Sequence, residues 1–420
     1  MGCFFRNFSL PLHPIMTKFN LATLDNGLRI IHLPSPSPVV YCGIGIRAGA
    51  RQEQAGEEGL AHYCEHVTFK GTARRSALQI LNSLEQVGGD LNAFTNKEDT
   101  TFYAAIQKAH FPRAVDLLTD IVFSSQYPQH EVEHEVDVIC DEIESYNDSP
   151  AERIYDDFEN LVFSGHPLGH NILGTRERVL AFTSADAQRF TGRYYRPEQA
   201  VFFAYGDVDY SRLARTLETK AGQRPPVEGE TPQHTADRQA PTPIAPESHH
   251  QAHVMTGCRT FGYDDERRLP LYLLNNILGG PAMNARLNLS LRERSGLVYT
   301  VESSMGTYSD TGCWSVYFGC DHHDVKRCLR LVRREQDRLM QHALSERQLA
   351  AAKRQLKGQI AIACDNREQF ALDFARHFLH YGQERDISLL LERIDSLTAA
   401  QLLDTAQQVF DPAVQQTLIL

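Results

Sequence analysis

The sequence predicts an α+β fold of two duplicated domains, each a mostly antiparallel sheet packed against helices, joined by a linker. Three observations carry that expectation. The first is an internal repeat: a shift of 211 residues lays Asp99-Thr100 on Asp310-Thr311, and Tyr103-Ala104-Ala105-Ile106 on Trp314-Ser315-Val316-Tyr317. The amphipathic stretch from Ala114 to Ile121 falls on Val325 to Val332 at the same offset, about half of the 420 residues, as a duplication requires. The second is the alternation of strand-like runs (Val39 to Ile46, Phe102 to Ile106, Ala200 to Tyr205) with helical periods. The third is residues 224–250, rich in Pro, Thr, Glu and Gln and poor in apolar side chains, a composition that cannot build a core. The expected organisation is an N-terminal domain at 17–223, a linker at 224–250 and a C-terminal homologous domain at 251–420. A chain of this length can hold two sizeable cores.

The first fifteen residues, Met1 to Ile15, lack a charged leader followed by a sustained apolar core and make a poor signal peptide. Arg6 spoils the myristoylation pattern despite Gly2, and Met16 is an alternative start. No stretch approaches the roughly 18 apolar residues of a spanning helix. The net charge of −11 argues against nucleic acid or an anionic membrane as partner. Nine scattered cysteines, with no C-x-x-C, read as reduced thiols, and a cytoplasmic location is expected.

The chemistry concentrates at residues 62–66, His-Tyr-Cys-Glu-His. On a helix, His62, Glu65 and His66 share a face, while Cys64 and Val67 lie within about 40° of Leu60 on the opposite side. Two imidazoles one turn apart can hold a single Zn²⁺, and a carboxylate beside them can take a proton from water. The order H-x-x-E-H inverts the common H-E-x-x-H and is the inverted zinc-peptidase signature.

A third ligand must come from elsewhere. Residues 131–146 predict a helix whose apolar stripe is Val132, Val136, Ile139 and Ile143, with spacings of four, three and four. Glu135 and Glu142, seven apart, lie nearly in line along one edge of that stripe. The spacing does not choose between them. Cys140 points about 160° away from Glu142 and reads as core. His166 and His170 are separated by a helix-breaking Pro167, and the adjacent pairs His249-His250 and His322-His323 do not face one another; all six read as solvated or locally bonded.

With these residues in place, the chain resembles the M16 family of zinc metallopeptidases, the group containing pitrilysin, insulin-degrading enzyme and mitochondrial processing peptidase. That family pairs H-x-x-E-H with a glutamate about as far downstream as Glu142, which lies 76 residues after His66. Matching words are Gly59-Leu60-Ala61-His62, Phe69-Lys70-Gly71-Thr72, Asn92-Ala93-Phe94-Thr95, His166-Pro167-Leu168-Gly169 and Tyr195-Arg196-Pro197-Glu198. The resemblance runs from about residue 20 to the C-terminus, with Cys64 a mild departure where relatives often carry an apolar residue.

The resemblance implies a role for each candidate. His62, His66 and Glu142 would be the metal ligands, Glu65 the general base, and Glu135 a carboxylate orienting a ligand histidine. Asn92, Ala93 and Phe94 resemble the family's edge strand, where an extended substrate adds itself through its backbone. Arg292 and Tyr299 alone read as a surface arginine and a half-buried tyrosine. They match an arginine and tyrosine that, in relatives, reach from the C-terminal domain to bind substrate and stabilise the oxyanion. At the repeat offset, His62, Glu65 and His66 fall on Leu273, Asn276 and Ile277, and Glu142 on Lys353, so one zinc per chain is expected. The implied activity is zinc-dependent hydrolysis of unstructured peptides in an enclosed chamber. Relatives build that chamber from four such repeats, so a homodimer is expected, with pairing to an inactive homologue also open. A site-specific processing peptidase and a non-catalytic partner subunit are the alternatives.

Overall fold

The computed structural model describes residues 18–221 and 250–420. The expected linker 224–250 therefore lies outside the described residues except for residue 250, as do Met16, residue 17 and His249.

In chain order the first half runs β1 (Asn20–Thr23), β2 (Arg29–Pro34), β3 (Val39–Ile46), α1 (Leu60–Thr68), α2 (Ala77–Glu85), β4 (Asp90–Thr95), β5 (Thr100–Gln107) and α3 (Phe111–Ser124). It continues through α4 (Gln129–Asn147), α5 (Pro150–Val162), α6 (Arg176–Ala181), α7 (Ser184–Tyr194), β6 (Ala200–Gly206) and α8 (Tyr210–Lys220). The second half runs β7 (Ala252–Phe261), α9 (Arg268–Gly279), β8 (Val298–Thr307), β9 (Thr311–Cys320) and α10 (Val325–Gln341). After these come α11 (Glu346–Cys364), α12 (Arg367–Tyr381), α13 (Ile387–Ser396), α14 (Ala399–Val409) and β10 (Gln416–Ile419).

Two sheets carry the α+β architecture that the sequence predicts. The first has strand order β1-β2-β6-β3-β5-β4 and the second β10-β7-β9-β8. Laying β3, β4, β5 and β6 on β7, β8, β9 and β10 makes the second sheet's order identical to the last four strands of the first. β5 and β9 begin at Thr100 and Thr311, the 211-residue offset of the repeat. Every neighbouring pair is antiparallel except β2–β6, which runs parallel. The central strands β3, β6 and β9 are buried almost without interruption, as strands covered by helices on both faces are.

The halves are not simply set side by side. α12 lays Phe370, Phe374 and Phe378, four residues apart on one helical face, against Ile31 and Leu33 of β2 and Val201 and Phe203 of β6. Reciprocally, α5 buries Ile154, Phe158 and Val162 against Met255 of β7 and Cys313 and Tyr317 of β9. Each sheet is thus covered on one face by a helix from the other half. Each such phenylalanine contributes about 1.5–3 kcal/mol through burial, so the exchange is a substantial tie. Among the described residues no helix is long and apolar enough to cross a membrane.

Ion pairs reinforce the seam. The buried carboxylate of Asp99, in the β4–β5 turn, accepts from Arg376 Nε (2.9 Å) and contacts His380 Nε2 (3.1 Å), both on α12. Burial opposes ionisation of Asp99, yet the His380 and Arg376 contacts hold its carboxyl below the usual range. That contribution is complete above the ordinary carboxylate value of 3.8 and is lost as pH falls through the lower, folded value. Asp99→Asn should lower stability at pH 7 by roughly 2 kcal/mol, below the usual cost of breaking a buried pair because Arg376 stays 43% exposed. In urea unfolding the gap from the native chain should close below pH 4; a gap that persists there would detach the effect from the Asp99 charge.

Candidate metal centre

α1 starts where backbone conformation and a buried carboxylate force it to. Gly59, its N-cap, has φ 95°, a left-handed value that favours glycine, and a Cβ there would meet Gly174 Cα at 2.8 Å. Glu53 accepts hydrogen bonds from the backbone N–H of Gly59 (3.1 Å) and Ala61 (2.8 Å), satisfying donors the helix leaves unpaired. His170 is drawn into this cap, its Nε2 lying 2.7 Å from Glu53 Oε2, so it is locally bonded rather than a ligand. Leu60, Cys64 and Val67 are buried on the side that the sequence assigned to the core. Ala61 and Tyr63 are buried too, and α1 is enclosed nearly all round between α4, α7 and β4.

The polar face meets α4. Glu142 Oε2 stands 3.3 Å from His66 Nε2 and 3.7 Å from His62 Nε2, and the two imidazole rings are 4.6 Å apart. The three donor atoms all lie within 4.8 Å of one another. Two ligand atoms each about 2.0–2.1 Å from a tetrahedral centre stand about 3.4 Å apart, so these separations fit one small divalent ion. Two imidazole nitrogens and one carboxylate are also the donor set of zinc sites that keep an open fourth position. Burial and the neighbouring His66 push the His62 imidazole down to about 4, so at neutral pH the ring is uncharged and one of its nitrogens carries a free lone pair. Burial also opposes charge on His66, but its bonds to Glu135 and Glu142 outweigh this and raise it to about 9. Glu142 is the most exposed of the three, its side chain 45% accessible, which leaves one side of the cluster open to solvent.

The structure separates the two acids that the helical spacing left equal. Glu142 faces both Nε2 atoms, whereas Glu135 is buried two turns further back, with Oε1 2.9 Å from His66 Nδ1. Its other oxygen is ion-paired to Lys70. Burial works against the Glu135 charge, but His66 and Lys70 lower its carboxyl below the ordinary value. Lys70 is a residue the motif reading did not single out. Its signal was present: it lies one helical turn beyond His66, inside the Phe69-Lys70-Gly71-Thr72 word.

Glu65 is 9% exposed and projects beside the cluster, where Thr95 Oγ1 donates to its Oε2 at 2.6 Å. Burial raises the Glu65 carboxyl, partly offset by Thr95. Thr95 ends β4, so the Glu65 carboxylate is tied to the strand containing Asn92, Ala93 and Phe94. β4 is an edge strand: those residues pair with Tyr103, Phe102 and Thr101 of β5 on one side and have no strand on the other among the described residues.

Other candidates fall elsewhere. Tyr299 is 83% exposed, with the Arg292 guanidinium 5.6 Å from its ring centroid; neither bonds to His62, His66 or Glu142. Cys140 is buried in the core. Leu273 and Asn276, the repeat counterparts of His62 and Glu65, are buried in α9. His323 groups with Asp321 and Asp324 at an exposed turn, without a second imidazole.

Residues 29–176 match the family model described as Insulinase (Peptidase family M16), and residues 181–356 match Peptidase M16 inactive domain. An uncharacterized zinc protease of Streptomyces coelicolor is 32% identical over 399 residues, covering 92% of this chain and 86% of its own length. One from Bacillus subtilis is 28% identical, covering 92% and 95%. Among solved structures, a protease from Helicobacter pylori superposes with a TM-score of 0.89 at 20% identity, over 96% of this chain and 99% of its own. A putative M16-like peptidase from Alicyclobacillus acidocaldarius gives 0.80 at 19% identity, over 96% and 97%.

The Lys70–Glu135–His66 chain makes a prediction about metal affinity. Lys70→Met should weaken zinc binding by about 10-fold and Glu135→Gln by roughly 10- to 100-fold, through loss of His66 orientation, while Lys70→Arg should recover most of it. Competition with a chromophoric chelator measures this; unchanged affinity in Glu135→Gln would mean that His66 needs no such support.

Proposed function

We propose that this chain, which belongs to the M16 (insulinase) peptidase family, is a zinc-dependent endopeptidase acting on unstructured peptides. The observation that carries the reading is the meeting of His62 Nε2, His66 Nε2 and Glu142 Oε2 within 4.8 Å, with the Glu65 carboxylate beside them.

In this reading His62, His66 and Glu142 hold one Zn²⁺ per chain, a number supported by the loss of all four site residues at the repeat positions. Zinc supplies a Lewis acid that acidifies water and polarises the scissile carbonyl. Glu65 takes the proton of the attacking water and delivers it to the leaving amine. Thr95 occupies Oε2 of Glu65, which leaves Oε1 to carry that proton. The raised Glu65 carboxyl suits a group that must both accept and release it. Glu135 and Lys70 keep His66 oriented. Arg292 and Tyr299 are assigned to the substrate and the oxyanion; Tyr299 is exposed and the Arg292 side chain is 41% accessible, which leaves both able to approach a peptide from the second half.

A peptide in extended form would add to the open edge of β4 at Asn92, Ala93 and Phe94. Backbone pairing demands little of side chains, so cleavage should be broad. Two chains pairing as a homodimer would enclose such a peptide and exclude folded proteins.

Glu65→Gln should retain zinc, because its ligands remain, and lose at least about 10² in kcat on an unstructured peptide. A metal-loaded Glu65→Gln protein with native turnover would remove Glu65 from the mechanism. Light scattering of the native chain should give twice the mass of one chain; a fully active monomer would rule out the enclosing pair.

A further inference from the structure

Away from the metal centre, a cavity of about 310 Å³ opens between the start of α9, the C-terminal end of α12 and α13, beside Glu98 of the β4–β5 turn. Four guanidinium groups line it: Arg268, Arg376, Arg385 and Arg393. Such a concentration is unusual in a chain whose net charge is −11. Acids line it as well, and the question is which charges are already paired.

Most of the acids are committed. Glu98 is bound by Arg51 at 2.6 Å and by Ser309 N–H at 3.0 Å. Asp373 pairs with Arg385, and Asp386 accepts from the backbone N–H of Leu389 (3.0 Å) as the N-cap of α13. Glu384 alone has no partner among the described residues, and it is exposed. The bases are less satisfied. Arg376 gives only its Nε to Asp99, leaving its two terminal nitrogens without an acceptor among the described residues. The Arg268 side chain lies over the Tyr263 ring, 4.4 Å from its centroid, and neither it nor Arg393 has an ion pair among the described residues.

These groups converge. Arg268, Arg385 and Arg393 all act electrostatically on the Tyr263 hydroxyl, and Arg268 disfavours the charge on both Arg385 and His377. Burial, reinforced by Arg268, lowers the Arg385 guanidinium from its ordinary value. Tyr263 stacks on Tyr381 and forms a planar wall to the same cavity. Like charges gathered in a half-buried space repel one another unless an anion joins them. Guanidinium forks match the oxygens of carboxylates and phosphates, and several at once favour a ligand with more than one negative charge. The volume suits a small molecule rather than a protein segment.

We propose that this cavity is a binding site for a small multivalent oxyanion, a phosphate or polycarboxylate compound, held by Arg268, Arg393 and the free nitrogens of Arg376 against the Tyr263–Tyr381 wall. The site is separate from the metal cluster, and its occupancy does not depend on the peptidase reading.

Isothermal titration of the full chain at fixed ionic strength, with inorganic phosphate and separately with tricarballylate, tests this and distinguishes the two chemical sources by which binds more tightly. Saturable binding of at least one is expected, weakened at least about tenfold in Arg268→Gln/Arg393→Gln. That double variant leaves the metal ligands untouched, so any weak anion binding at the metal persists in it and is separated from the cavity. Glu384→Gln, an exposed change with no structural partner to lose, should tighten binding about two- to fivefold by removing the one free acid. Absence of saturable binding by either anion, or equal affinity in the double variant, overturns the proposal. If the double variant does not fold, an unchanged affinity in Glu384→Gln overturns it instead.

Discussion

Arg51 is the group on which the two halves close. It is buried, and a buried guanidinium is tolerable only when its charge is matched. Glu98 supplies one partner from the β4–β5 turn at 2.6 Å, and Asp310 supplies the other from the β8–β9 turn at 2.5 Å. Ser309 adds its N–H and hydroxyl to the same Glu98 carboxylate. These two turns are repeat equivalents, so the duplicated hairpins dock on each other through the residues at corresponding positions. The consequence reaches the metal centre through few covalent steps. Thr95, three residues before Glu98, holds Glu65, so the seat of the β4–β5 turn sets the seat of the Glu65 carboxylate.

One scaffold has been used twice with different demands. In the first half α1 carries two histidines and a glutamate into a nearly closed space, where Glu65 is held by Thr95 and His66 by Glu135 and Glu142. In the second half the corresponding α9 carries Leu273, Asn276 and Ile277, and the same space is filled by core. The polar version is the costlier one to fold, since buried charge must be matched atom by atom. The reciprocal exchange of α5 and α12 offsets that cost with apolar area on the far face of each sheet. The seam is therefore apolar over its breadth and ionic at the turns, a combination that fixes register as well as adhesion.

Much of this was legible in the chain. The periodicity placed α1 and α4, the apolar runs placed β3, β5 and β6, and the repeat anticipated a common strand order. All of these depend on local pattern, which a sequence carries directly. What escaped was long-range. Glu135 and Glu142 are equivalent by spacing, and only the crossing of α4 over α1 decides which faces the imidazoles. The exchange of α5 and α12 leaves no periodic mark, because a helix shows that it has an apolar face and not what covers it. α1 appeared amphipathic but is buried nearly all round. Its polar residues lie inside for chemical reasons, which is where pattern reasoning fails in the expected direction. Lys70 and Thr95 are ordinary residues until their partners are known.

The open edge of β4 sits at the junction of stability and activity. An unpaired strand edge is a liability, since it offers its N–H and C=O groups to any extended segment. Here the strand is short, six residues, and begins with Asp90, which limits how much foreign chain can add. At its other end it turns at once into the buried Lys97–Asp99 segment, where the seam stops further pairing. What remains open is the stretch through Asn92 and Phe94, directly before the threonine that holds Glu65. In the proposed mechanism that location does two things with one element. Pairing at the edge would orient the peptide backbone by hydrogen bonds that any sequence can make, and it would do so next to the base and the metal ligands. The same edge would reject a folded chain, whose strands already have partners, so selectivity for unstructured substrate needs no recognition of side chains.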